Sequence, residues 1–122
     1  MYRVLWELPE PSSTRVGAEM RVLRGRSQTL SIEYPYAVVE IAFEGVEQSV
    51  CTHVTSLRRR ALDAQDRLVE LLYSRWRASA QKHFNGKDPT KLRHLRVCLH
   101  GGPCYDLVCT GYTHRVRCEG LR

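Results

Sequence analysis

Residues 46–84 read VEQSVCTHVTSLRRRALDAQDRLVELLYSRWRASAQKHF, and the way this stretch folds decides the architecture of the chain. Val50, Val54, Leu57, Ala61, Ala64, Leu68 and Leu71 recur at spacings of 4, 3, 4, 3, 4 and 3 residues, which is the heptad seam of an amphipathic helix. Beyond Leu71 that seam meets Arg75, and the apolar stripe moves round to Leu72, Trp76 and Ala80. Asn85-Gly86-Lys87-Asp88-Pro89 supplies the stop, with glycine near the C-cap and proline past it. One straight helix from Val46 to Phe84 would run about 58 Å at the helical rise. A compact chain of this length has a radius of gyration of only about 14 Å. The helix must therefore begin near Ser56, kink near Ser74, or pack its far end on a second copy. The β-branched residues of Cys51-Thr52-His53-Val54-Thr55 keep open a strand that ends at a Ser56 N-cap.

On either side of this stretch the pattern has a period of two. Tyr2–Glu7 alternates as a short strand, and Pro9 to Thr14 is a loop. Met20–Arg24 and Thr29–Tyr34 flank the turn Gly25-Arg26-Ser27-Gln28 as a hairpin. Ala37–Phe43 follows with Val39, Ile41 and Phe43 turned inward, and Glu44-Gly45 breaks it. After the long helix, His94–His100, Cys104–Cys109 and His114–Cys118 read as a three-stranded meander with turns at Gly101-Gly102-Pro103 and Thr110-Gly111-Tyr112-Thr113. The expected fold is thus α+β: one domain over 1–122, with an antiparallel sheet of N-terminal strands and C-terminal meander packed on a long central helix.

Pairing outward from the turns places His100 opposite Cys104 and Cys109 opposite His114. Leu95, Val97, Leu99, Tyr105, Leu107, Cys109, His114, Val116 and Cys118 then form a core face. Arg96, Cys98, His100, Cys104, Asp106, Val108, Arg115 and Arg117 form a solvated basic one. Cys104 and Cys109 point to opposite faces and lie roughly 16–17 Å apart, so no single zinc site uses all the cysteines and histidines. Cys98, His100 and Cys104 converge on one face but need a fourth ligand from elsewhere, and no metal or other cofactor is expected. With five cysteines, an odd count, and no apparent signal peptide at Met1–Glu7, reduced thiols and a cytoplasmic or nuclear location are expected. No apolar run is long enough to span a membrane.

Charge gives the functional signal. Residues 1–56 carry five arginines and seven glutamates, net −2, while residues 57–122 carry fourteen basic and six acidic residues, net +8. Sixteen arginines stand against three lysines, and the planar guanidinium suits bidentate phosphate contact. Such asymmetry points to a polyanionic partner. Arg59 and Arg60 of the Arg58–Arg60 run, Arg75, Arg77, Lys91 and Arg93 extend basic character along the helix and beyond it. Arg96, Arg115 and Arg117 continue it on the sheet, and together they would form one phosphate track. Trp76 and Trp6 are candidate base-stacking residues, although large aromatics mostly serve cores.

No nucleophile-elbow, phosphate-loop, dinucleotide-fold or HExxH motif is present, and no catalysis is expected. The reading is a small protein that binds RNA before DNA, structured or double-stranded, by shape and backbone, and that forms a homodimer. That task suits the sequestration performed by compact viral suppressors of RNA silencing. The alternative is a protein-interaction module that dimerises or binds a partner through the heptad helix. Salt separates the two, because phosphate binding weakens steeply with ionic strength and an apolar interface does not.

Overall fold

The computed structural model describes residues 1–23, 25–53, 64–83 and 89–118. Among them the chain forms nine strands: β1 (Tyr2–Glu7), β2 (Gly17–Val22), β3 (Gln28–Glu33), β4 (Ala37–Glu44), β5 (Gln48–His53), β6 (Arg67–Leu71), β7 (Arg93–Cys98), β8 (Pro103–Cys109) and β9 (Gly111–Cys118). One α-helix, α1 (Arg75–Lys82), sits between β6 and β7. The strands build two antiparallel sheets, one of order β1-β6-β7-β8-β5 and one of order β2-β3-β4-β9. No helix among the described residues is long and apolar enough to cross a membrane.

The long central helix is not formed. Its expected N-terminal part contains β5, its later part contains β6, and among the described residues of the stretch only the eight of α1 are α-helical. Residues 54–63, the middle of the heptad seam, lie outside the described residues. The seam misled because β6 is covered on both sides. Leu68 faces the second sheet and Val69 packs under Ala64, Cys98 and Cys104, so buried residues follow one another instead of alternating. Of the alternative, a strand through Cys51–Thr55 ending at a Ser56 N-cap, the part up to His53 is β5, with six pairs to β8 from Gln48↔Val108 to His53↔Pro103, and Val54 to Ser56 lie outside the described residues.

The core lies between the sheets. Leu30, Ile32, Val39, Ile41 and Phe43 from one sheet meet Leu68, Leu95, Val97 and Leu107 from the other, all with no exposed surface. Each such side chain contributes about 2 kcal/mol by leaving water. This makes the molecule a sandwich of two sheets, in place of a sheet on a helix.

The meander is split between the two sheets. β7 and β8 pair as a hairpin, but β9 leaves through Thr110 and joins β4 in the other sheet. At the same level β4 gives way to β5 through Gly45. Thr110 N–H donates to Glu44 O at 2.9 Å and Glu47 N–H to Val108 O at 2.8 Å, so β4-β5 and β8-β9 run as one ribbon bent from sheet to sheet. Gly45 has φ +60°, and a Cβ there would land on Thr110 Oγ1, so the bend needs glycine.

The β7–β8 register differs by two residues from the one expected: Cys98, not His100, lies opposite Cys104, and Arg96 lies opposite Asp106. Gly101 and Gly102, at φ +90° and +129°, form the tip of the turn. A two-residue shift keeps every side chain on its face and changes every partner. Leu95, Val97, Leu99, Tyr105, Leu107 and Cys109 are therefore core residues as expected. Cys98 and Cys104, expected as free thiols, are joined as a disulfide, while Cys51, Cys109 and Cys118 are free.

Candidate nucleic-acid interface

Helix α1 is fixed to the outer face of the five-stranded sheet by a row of polar groups. Ser74 is extended at φ −124°, ψ 124°, and its Oγ accepts the Arg77 N–H at 3.1 Å, the usual way a serine satisfies an orphan donor of the first turn. The same hydroxyl lies 2.5 Å from His94 Nδ1, and His94 Nε2 lies 2.7 Å from Asp106 Oδ1. With Nε2–H donating to the carboxylate, Nδ1 accepts from the serine. Arg96 Nε donates to Asp106 Oδ1 as well, at 2.7 Å. Trp76 lies flat on the imidazole, its ring centroid 5.0 Å away and the planes 8° apart.

His94 and Asp106 are only 3% and 5% exposed, so this polar row is buried and each member depends on the others for its hydrogen bonds. It forms a hydroxyl–imidazole–carboxylate row with the hydroxyl engaged as a helix cap, and it serves to anchor α1. Nothing in the pattern of residues 74–106 announced it. Arg96 and Asp106 were on one face by alternation, but pairing them needed the true register, and Ser74 needed the helix start.

The basic residues fall into two groups. Eight of the eleven described arginines are ion-paired to carboxylates: Arg3 and Arg93 to Glu70, Arg21 to Glu19, Arg26 to Glu47, Arg67 to Glu7, Arg96 to Asp106, and Arg115 and Arg117 to Glu40. Arg93, at 3.0 Å from Glu70, turns inward and lies over the Tyr112 ring at 5.6 Å. Its hydrogen bond to Glu70 holds the guanidinium pKa up. Burial pushes the Glu70 carboxyl up, but the hydrogen bonds from Arg93 and Arg3 outweigh it and leave the pKa lowered. At Glu40 burial is likewise outweighed, by Arg115 at 3.0 Å and Arg117 at 2.6 Å.

Arg15, Arg75 and Arg77 have no carboxylate partner among the described residues. Arg75 is exposed and opens α1, and Arg77 stands one helical position past Trp76 with Nη2 on Leu72 O at 2.7 Å. Lys82 and His83 at the other end of α1 are exposed, as is Lys91 before β7.

Of the expected track, the structure brings together Arg75, Trp76, Arg77 and Arg96, with Arg96 held by Asp106. Arg115 and Arg117 are elsewhere. They pair with Val38 and Glu40 of β4, whose neighbours Val39 and Ile41 face the core, so they project from the outer face of the four-stranded sheet. Arg96 projects from the opposite side of the sandwich, and the two do not form one surface. Arg59 and Arg60 lie outside the described residues. Trp6 packs against the core and stacks on the exposed His114, which pairs with Ile41, at 4.1 Å between ring centroids. Among the described residues no group of three or more His, Cys, Asp or Glu is placed to hold a metal ion.

Comparison with known proteins finds no matching family model, no matching curated protein and no matching solved structure.

Proposed function

We propose that the protein binds nucleic acid, RNA before DNA, through phosphate contacts from α1 and its flanks: Arg75, Arg77, Lys82 and Lys91, with Trp76 between Arg75 and Arg77 in the sequence of the helix. The observation that carries the reading is the placement of Arg75 and Arg77. Both lie in the first turn of α1, where no acidic residue offsets them. The N-terminal end of a helix dipole is positive, so cations there cost about 0.3–1 kcal/mol where anions would stabilise. Stability alone gives no reason for two arginines at that end without a carboxylate partner among the described residues, while a phosphate partner turns the same repulsion into attraction. The anchoring of α1 through Ser74, His94 and Asp106 fixes these cations before any ligand arrives. Contacts of this kind read backbone shape, which suits structured or double-stranded RNA and its sequestration.

The rival reading, a partner-binding heptad helix, has less support, since Val50 lies in β5 and Leu68 and Leu71 in β6, while Val54, Leu57 and Ala61 lie outside the described residues. Homodimer formation would then use the strands that end the sheets, β1 and β5 or β2 and β9.

Fluorescence anisotropy with short double-stranded RNA, single-stranded RNA and DNA duplex, at low and physiological salt, tests the reading. Arg75→Glu/Arg77→Glu is expected to weaken binding more than about tenfold and to flatten the log–log salt slope by about 2. Arg115→Gln/Arg117→Gln is expected to leave affinity within about twofold. Loss of binding in the second variant but not the first would move the interface to the other face. No binding at low salt would end the nucleic-acid reading.

A further inference from the structure

Arg15, the third arginine without a carboxylate partner among the described residues, stands at the far end of β7 from α1. The six residue steps from His94 to His100 place the two ends about 20 Å apart. Arg15 is held firmly. Its Nη1 donates to Ser12 O and to His100 O, each at 2.7 Å. Ser12 is itself fully buried and is a hub: its N–H donates to Asp66 Oδ1 at 3.1 Å, its hydroxyl also bonds Asp66 Oδ1, and that hydroxyl accepts the His100 N–H at 2.7 Å. Asp66 takes part from a left-handed backbone at φ 59°, a conformation that non-glycine residues seldom adopt. These bonds fix Arg15 and His100 relative to each other, and Nε and Nη2 of Arg15 make no hydrogen bond among the described residues.

Beside them opens a cleft of about 570 Å3, whose lining includes Ser13, Arg15, His53, His100 and Tyr105 with Gly17 and Ala18. Its volume is in the range of small-ligand sites. Among the described residues every ionisable lining group is a cation, an imidazole or a phenol, and no carboxylate lines it. A preorganised guanidinium with a free edge, two imidazoles beside it and a hydroxyl within the same cleft are the groups that recognise a phosphate.

We propose that this cleft binds a phosphate monoester, with Arg15 receiving the phosphate oxygens and His53 and His100 flanking it. The phosphate belongs either to a free nucleotide-sized molecule or to the terminus of a nucleic acid. The site does not depend on nucleic acid being held at α1.

The test is a titration of the 15N-labelled protein with inorganic phosphate and with a nucleoside 5′-monophosphate, following the His53 and His100 imidazole resonances at fixed pH and ionic strength. Saturable shifts at millimolar concentration or below are expected for both probes and not for chloride. Arg15→Gln is expected to abolish them. Arg15 supports local backbone, so His53→Gln, at an exposed position with no side-chain hydrogen bond to another described residue, provides a second arm and is expected to weaken binding several-fold. Shifts that do not saturate, that chloride reproduces, or that survive in both variants would overturn the site.

Anisotropy with 5′-phosphorylated and 5′-hydroxyl RNA separates the sources. A preference for the phosphorylated end that Arg15→Gln removes assigns the cleft to a nucleic-acid terminus. Equal affinity for the two ends, with the nucleotide still bound, assigns it to a free phosphate ester. Because Arg75→Glu/Arg77→Glu leaves Arg15 untouched, failure at α1 and failure at this cleft are read separately.

Discussion

The two outer faces of the sandwich carry similar numbers of arginines and use them in opposite ways. On the four-stranded sheet Arg115 and Arg117 converge on one carboxylate, Glu40, and Arg21 sits by Glu19, so the face is close to electrically closed. On the five-stranded sheet Arg96 is drawn down onto Asp106, and the cations left over stand on α1 above it. What this teaches is that a count of basic residues does not locate a phosphate site. An arginine already bound to a carboxylate must give up that partner before it gains from a phosphate, whereas an unpaired one at a helix N-terminus gains at once.

The strongest way to break the comparison is to remove the group that holds the five-stranded face together. Asp106→Ala leaves Arg96 and the buried His94 without their acceptor, and a buried charge that loses its partner costs about 3 kcal/mol. The expected outcome is a fall of that size in urea unfolding, with loss of the Trp76–His94 stacking seen in tryptophan fluorescence. RNA affinity should fall too, because α1 loses its platform. If stability falls and RNA affinity does not, the anchoring of α1 plays no part in binding.

Next in size is the bend that joins the two faces. Gly45→Ala puts a β-carbon onto Thr110 Oγ1 at a left-handed backbone position, where L-residues other than glycine cost about 1–2 kcal/mol before any clash is counted. A loss of about 2 kcal/mol in chemical denaturation, with no change in the salt slope of RNA binding, would show that the bend serves the fold alone. A changed slope would mean that the angle between the sheets positions the cations.

How much of this could be read in the sequence depends on whether a residue's fate was local. Strand alternation is local, so β1, β3, β4, β7 and β8 were legible, and with them most of the core between the sheets. The path of β9 was not, because Thr110-Gly111 has turn composition and nothing nearby shows that β4 offers a better partner than β8. Of the heptad spacing from Val50 to Leu71, Val50 falls in β5 and Leu68 and Leu71 in β6, strands that β7 and β8 separate in one sheet, while Val54, Leu57 and Ala61 lie outside the described residues. A strand buried on both sides, as β6 is at Leu68 and Val69, loses the alternation that would have revealed it. The site followed the same rule. Arg75, Arg77 and Trp76 were legible as basic and aromatic residues on a helix, but the neutralisation of Arg93, Arg96, Arg115 and Arg117 depends on strand register and could only be seen once the pairs were in place.

The smallest effect should come from opening the closed face. Arg115 and Arg117 are largely solvent-exposed, so Arg115→Gln/Arg117→Gln is expected to cost about 0.5–1 kcal/mol at neutral pH, the ordinary worth of exposed ion pairs. The sign of its pH dependence follows from Glu40. Burial raises that carboxyl and the two arginines lower it further, so its pKa in the fold lies below its value in the unfolded chain. A carboxylate with a depressed pKa stabilises the fold above the unfolded value of about 4.3, and that stability drains away as pH falls through the folded value. The gap between wild type and variant in urea unfolding should therefore be open at neutral pH, shrink below about pH 4 and close in stronger acid. A gap that stays open in acid would mean the two arginines stabilise the face by packing their stems over β4, and the contrast with α1 would then lie in side-chain burial instead of charge.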